Sequence, residues 1–284
     1  MKQKQRYIVF PETWGDLTPE DWREVLKIRQ RVVAHGGRYS EHDITVKTVV
    51  QLLKNRGLKE QPSDSRYIEL ISRLSKTLGW LWHAEGSTIS LVYKDTRNLL
   101  PKVREWLGPA DHGSDLLFGE FRLAFAVLRN YEEHPSERDL DVLAGLLYRP
   151  EASEQMQHEQ QLRRLPYDWD TFSQKEERGK QMERWQVWGI YAWFAWFCEY
   201  LTTGTFIIDG CEVSFAPLFN HSSSTADSSP STNSGFSLQQ ICLTLAESHV
   251  FGTAKDVDRT PLLTVMQKLL MDYHSLMKIK NHKK

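Results

Sequence analysis

The sequence predicts a mainly α-helical protein with a few short strands and one β-hairpin at about residues 205–215. Three observations carry this expectation. Helix-start signals recur along the chain, apolar residues follow them at three- and four-residue steps, and β-branched runs are short and few. No repeat with a period of 20–50 residues accompanies them, so a solenoid is not expected.

Tyr7-Ile8-Val9-Phe10 is a short strand candidate, stopped by Pro11. Thr18-Pro19-Glu20-Asp21 supplies an N-cap, a proline at the first helical position and acid in the first turn. Trp22, Leu26, Arg29 and Val33 continue that helix until Gly36-Gly37. Ser40 caps a second helix, with Asp43 three residues on, and Gly57 closes it. Asp64 or Ser65 opens a third through Ile68, Ile71, Leu74, Leu78 and Leu81. Gly86 breaks it, and Thr88 to Tyr93 is β-branched enough for a strand.

A helix from about Leu116 to Tyr131 carries Phe118, Phe121, Phe125 and Leu128. Ser136 caps the next, with Leu140, Leu143 and Leu147 inward and Pro150 as terminator. Residues 151–170 are polar and irregular, as in a linker or long loop. Ser173-Gln174-Lys175-Glu176 reads as a capping box that opens an aromatic helix ending near Gly204. Asp209-Gly210 between Thr205–Ile208 and Cys211–Phe215 then predicts a type I′ hairpin, because both central residues must take positive φ.

From Asn220 to Gly235 the chain is almost wholly Ser, Thr, Asp, Asn and Pro, a composition expected of a flexible linker. Ser237-Leu238-Gln239-Gln240 is a further capping box, with Phe236 and Ile241 as its hydrophobic staple, and that helix is expected to stop near Gly252. Thr260-Pro261 starts the last helix, whose broad apolar face holds Leu262, Val265, Met266, Leu269, Leu270, Tyr273, Leu276 and Met277. The expected organisation is an N-terminal helical domain at 1–150, the aromatic helix plus hairpin at 171–219, a linker at 220–235 and a C-terminal helical pair at 236–284.

Composition excludes more than it assigns. A net charge of −1 argues against a bulk electrostatic binder of nucleic acid. The longest uncharged apolar run, Trp188 to Cys198, falls well short of the roughly 20 residues of a membrane span. Three cysteines without close spacing suit a reducing compartment, and no apolar leader follows the N-terminus, so a cytoplasmic protein is expected. No H-E-x-x-H, C-x-x-C, G-x-S-x-G, Walker A loop or G-x-G-x-x-G occurs. The expectation is therefore no enzyme, no metal and no cofactor. Asp139/Asp141 and Asp168/Asp170 are read as caps and solvated loop groups.

Two features invite a binding role. Eight of the sixteen residues from Trp185 to Tyr200 are aromatic, which suits either a buried helix or a partner surface through Trp185, Trp188, Trp193 and Trp196. The last helix offers Leu262, Met266, Leu269 and Tyr273 as a second candidate surface, whether folded back or lying in a partner groove. A different class is a helix-turn-helix-like DNA-binding or regulatory module built on residues 18–56, with Lys47, Lys54 and Arg56 on its second helix. The wide apolar face of Val46, Val49, Val50, Leu52 and Leu53 favours ordinary hairpin packing there.

Three stretches occur in order: Phe10-Pro11-Glu12-Thr13-Trp14 leading into Leu17-Thr18; Phe118-Gly119-Glu120-Phe121 with Leu147-Tyr148-Arg149-Pro150; and Leu245-Ala246-Glu247 with Val250-Phe251-Gly252. In this the chain resembles an uncharacterised family encoded by tailed phages and prophages of Bacteroidetes, among virion-morphogenesis genes. The resemblance implies a tail-assembly accessory protein, a chaperone or minor tail component, that holds a tail tube or tape-measure protein until it polymerises. It implies no cofactor. Within these segments Glu120 and Arg149 are charges bracketed by apolar residues, and they are expected to pair and orient their two helices.

Overall fold

The computed structural model describes residues 8–34, 39–85, 88–160, 162–219 and 238–282. The fold is mainly helical with small antiparallel sheets, as the sequence predicts. The helices are α1 (Pro19–Ala34), α2 (Glu41–Asn55), α3 (Ser65–Ser75), α4 (Phe118–Glu133), α5 (Glu137–Leu147), α6 (Glu154–Gln160), α7 (Phe172–Lys180), α8 (Arg184–Thr203), α9 (Leu238–Glu247), α10 (Ala254–Arg259) and α11 (Leu262–His282). The strands are β1 (Trp82–Glu85), β2 (Thr88–Leu91), β3 (Lys102–Val103), β4 (Trp106–Leu107), β5 (Arg149–Pro150), β6 (Thr205–Ile208) and β7 (Cys211–Ser214). They pair as β1-β2, β3-β4-β5 and β6-β7.

The chain divides into two compact units, Met1–Asp95 with Met182–Trp193, and Thr96–Gln181 with Phe194–Lys284. The segmentation read from the sequence places its boundaries elsewhere, at 150 and on either side of a linker at 220–235 that lies outside the described residues. Composition marks polar stretches, whereas a compact unit is defined by which distant segments bury one another.

In the first unit α2 packs against α1 and α3. The Thr18 hydroxyl accepts from the Asp21 N–H, and the Asp21 carboxylate accepts from the Thr18 N–H, so the capping box is reciprocal. Asp21 is fully buried and also accepts from Arg56 (3.0 Å) and Asn55 (2.8 Å) at the far end of α2, tying the two helices together. Trp14, Trp22, Trp80 and Tyr93 form an aromatic cluster with centroids 4.8–5.6 Å apart, mostly edge-on. Buried Trp82 donates its indole N–H to Thr48 on α2.

Two local expectations are corrected here. Ile8 to Phe10 form no strand; Val9 instead accepts through its carbonyl from the Arg56 guanidinium. The third helix ends at Ser75 rather than running to Leu81, because Leu78 and Trp82 turn inward through a short 3-10 turn, Leu78–Trp80, into β1. The apolar residues are spaced alike in both conformations, and burial decided between them.

In the second unit α5 is the central helix. Every residue from Leu140 to Leu147 is buried, so it is enclosed on all sides rather than on the single face expected for it. It packs against α4 and, most closely, α7. At that crossing a Cβ on Gly145 would land on the Lys175 carbonyl, and one on Gly179 on the Asp141 carbonyl. The two glycines let the backbones meet directly. The segment 151–170 read as a linker contains α6 and a return strand contact, Glu151 with Arg164.

The aromatic run does not begin at the expected cap. Thr171, with Gln174, caps the separate helix α7, and α8 begins at Arg184 after a break. The β6-β7 hairpin is the expected type I′ turn, with φ of 51° at Asp209 and 77° at Gly210. The cap and staple read at Phe236 and Ser237 lie outside the described residues. Beyond α9, the additional helix α10 precedes α11. The helix expected to stop near Gly252 ends at Glu247.

Candidate functional site

The sequence-derived binding residues fall into two groups. Trp185 and Trp193 on α8 are buried, as are Leu262 and Met266 on α11, so these four are core. Trp188 and Trp196, and Leu269 and Tyr273, are half-buried. Trp188 is covered on one face by the Arg29 guanidinium, 3.5 Å from its ring centroid, and Trp185 lies under Lys27. The second half of α8 joins the core of the second unit through Phe194 and Phe197 against Phe121. The aromatic helix is thus chiefly a core element.

The last helix behaves differently along its length. At its start the Phe118 N–H donates to the Thr260 carbonyl (2.9 Å) and the Leu262 N–H to the Leu116 carbonyl (2.8 Å), long-range bonds that splice α11 to the start of α4. Leu262 and Val265 are fully buried and Met266 nearly so. From Leu269 onward cover falls away. Leu276 is 60% exposed on the stripe, Met271 and Ile279 are exposed on other sides of the helix, and Lys278 and Lys280 are exposed near its end. Leu276 lies on the same helix stripe that is buried about three turns earlier at Val265 and Met266, so the stripe runs from core to exposed surface.

A second concentration of chemistry is internal. Glu120 and Arg149 pair as the sequence suggests, at 2.8 and 3.1 Å and nearly without solvent contact. The rest of the cluster has no signal in the sequence pattern. Arg164 also reaches Glu120 (3.1 Å) and Asp115 (3.3 Å). Arg178 and Lys175 share Asp170, which is therefore buried and paired instead of solvated.

The role of the arginines is visible in their other bonds. Arg178 donates to the Gly145 carbonyl, Arg149 to Leu146 and Arg164 to Leu147, so three guanidiniums cap the C-terminal carbonyls of α5. That is where a helix leaves unsatisfied acceptors and a partial negative charge. Burial, and next the Arg149 charge, push the Lys175 amine down to about 8 and the Arg178 guanidinium down to about 10. At Lys175 the Asp168 carboxylate acts against that shift. The cluster is a structural cap, with every charge directed at a backbone or side-chain partner.

Of the groups considered for DNA binding, Arg56 is committed to Asp21, and Lys47 stacks on Tyr39 at 3.6 Å. Among the described residues no group of three or more His, Cys, Asp or Glu could hold a metal ion. No described helix is long and apolar enough to cross a membrane. Burial raises the thiols of Cys198 and Cys242, which disfavours their thiolate forms. No protein-family profile, curated protein or solved structure matches the chain.

Proposed function

We propose that this chain is a non-enzymatic, protein-binding accessory protein that captures its partner on the distal half of α11. Following the resemblance, that partner is a tail structural protein of the tube or tape-measure type, held until assembly. The observation that carries the reading is the apolar stripe of α11, buried at Leu262, Val265 and Met266 and uncovered at Leu276. A long, rigid helix that presents such a stripe beyond its own core suits helix-in-groove or helix-on-helix recognition.

Deleting 236–284, the removal that the sequence segmentation suggests, would strip Leu262 and Val265 from the core. The cleaner test stops the chain after Lys268. Tagged full-length and truncated proteins are compared for co-purification with a long helical tail protein from cells that encode both. The truncated chain keeps its thermal transition and loses the partner. Equal recovery of that tail protein by both chains refutes the docking reading.

A further inference from the structure

We infer that the occupant of the α11 distal face is an acidic amphipathic helix, with a carboxylate set opposite Lys280. The inference rests on the docking reading above and adds the chemistry of the partner.

The stripe has a regular seam. Leu262, Met266, Leu269, Tyr273, Leu276 and Lys280 recur at alternating four- and three-residue steps, the spacing that keeps one line of side chains facing a neighbouring helix. Five of these six are apolar, and the sixth is a lysine in the seam itself. α11 remains helical through His282, so Lys280 is held on the same line as Leu276 and Tyr273. A cation at a seam position weakens a purely apolar contact and is satisfied when the facing helix brings an acid to it.

The surrounding charge has the same sign. After Asp272 the chain has no acidic residue, while Lys278, Lys280, Lys283 and Lys284 follow, in a protein whose net charge is −1. Asp272 is itself bonded to Lys268 one turn earlier. The end of the helix is therefore a local cationic segment, complementary to a negative partner.

Other occupants fit less well. A second copy of this chain would bring only leucine, methionine, tyrosine or lysine from its own seam, and in parallel register would set Lys280 against Lys280. A bilayer would favour lysines on the rim of the apolar face, where they reach headgroups, rather than on its midline.

The test uses the full chain and two labelled leucine-heptad peptides, one with glutamate at the seam position facing Lys280 and a twin with lysine there. Fluorescence anisotropy is expected to show at least about tenfold tighter binding of the glutamate peptide, since like charges in a seam are strongly disfavoured. The variant Lys280→Glu is expected to reverse the preference. Equal binding of both peptides overturns the acidic partner while leaving the docking reading intact. Binding of neither overturns a helical occupant. Capture of phosphatidylglycerol vesicles without peptide binding, or a concentration-dependent dimer lost in the chain ending at Lys268, would assign the face to a membrane or to a second copy instead. Retention of the tail protein by the chain ending at Lys268 would remove the docking reading before charge is tested.

Discussion

Replacing Glu120 by alanine isolates the energetics of the buried cap on α5. The carboxylate accepts from both terminal nitrogens of Arg149, at 2.8 and 3.1 Å, and from Arg164 at 3.1 Å. Both guanidiniums stay in place when it is removed, because they are bonded to the carbonyls of Leu146 and Leu147. Arg164 would then keep Asp115, at 3.3 Å and itself partly exposed, while Arg149 would keep the carbonyls of Leu146 and Leu165. Leaving a buried charge without its partner costs about 3–5 kcal/mol. In a unit of this size each kcal/mol lowers Tm by roughly 2–4 °C, so a fall of roughly 6–20 °C is expected.

Urea unfolding followed by far-UV circular dichroism, with a thermal scan alongside, measures the change. The comparison is Arg138→Ala, which severs an exposed pair with Glu176 and should cost no more than about 1 kcal/mol. Exchanging Glu120, Arg149 and Arg164 together for apolar residues should also destabilise. In many proteins such a swap is neutral, but here it would orphan α5 carbonyls at about 1–3 kcal/mol each. A Glu120→Ala protein as stable as the parent would refute the cap and the orienting role of the pair.

Gly145→Ala should destabilise by more than about 3 kcal/mol or prevent folding, because α5 and α7 would have to separate at a backbone contact. A midpoint in urea unchanged from the parent would show that the crossing is not tight. Asp43 is held below its ordinary 3.8 by the hydrogen bond from the Ser40 hydroxyl and next by that from the Ser40 backbone. A carboxyl depressed in the folded state contributes fully above its unfolded value and loses that contribution as pH falls through the folded one. Asp43→Asn should therefore flatten the loss of stability below about pH 4 relative to the parent, read from denaturant midpoints across an acid series. Parallel curves would refute the assignment.

Local grammar was legible where one short segment contains the whole cause. The reciprocal caps at Thr18/Asp21 and Ser40/Asp43, the Ser136 cap and the Asp209-Gly210 turn each need only neighbours within four residues. The pairing of Glu120 with Arg149 was legible for a related reason, since a charge amid apolar residues must find an opposite charge. Its companions were not. Arg164 and Asp170 sit in a stretch whose polarity resembles solvated loop, Lys175 and Arg178 in the polar start of a helix, and nothing in their spacing says that they close over the end of α5. The choice between core and surface on α8 was not legible either. Aromatic content measures contact area without saying who supplies the contact, and Trp185 and Trp193 turn out to be covered by the chain itself.

The sequence by itself determined the helical class, most helix starts, the hairpin and the apolar stripe of α11, because these follow from backbone hydrogen bonding and residue period. Only the tertiary structure decided that α5 is enclosed, that Leu78 to Trp82 turn into a strand, and that the α11 stripe is core as far as Met266 and uncovered from Leu276. Burial is a property of pairs of distant segments, and a single segment's pattern records which face is apolar but not what will come to cover it.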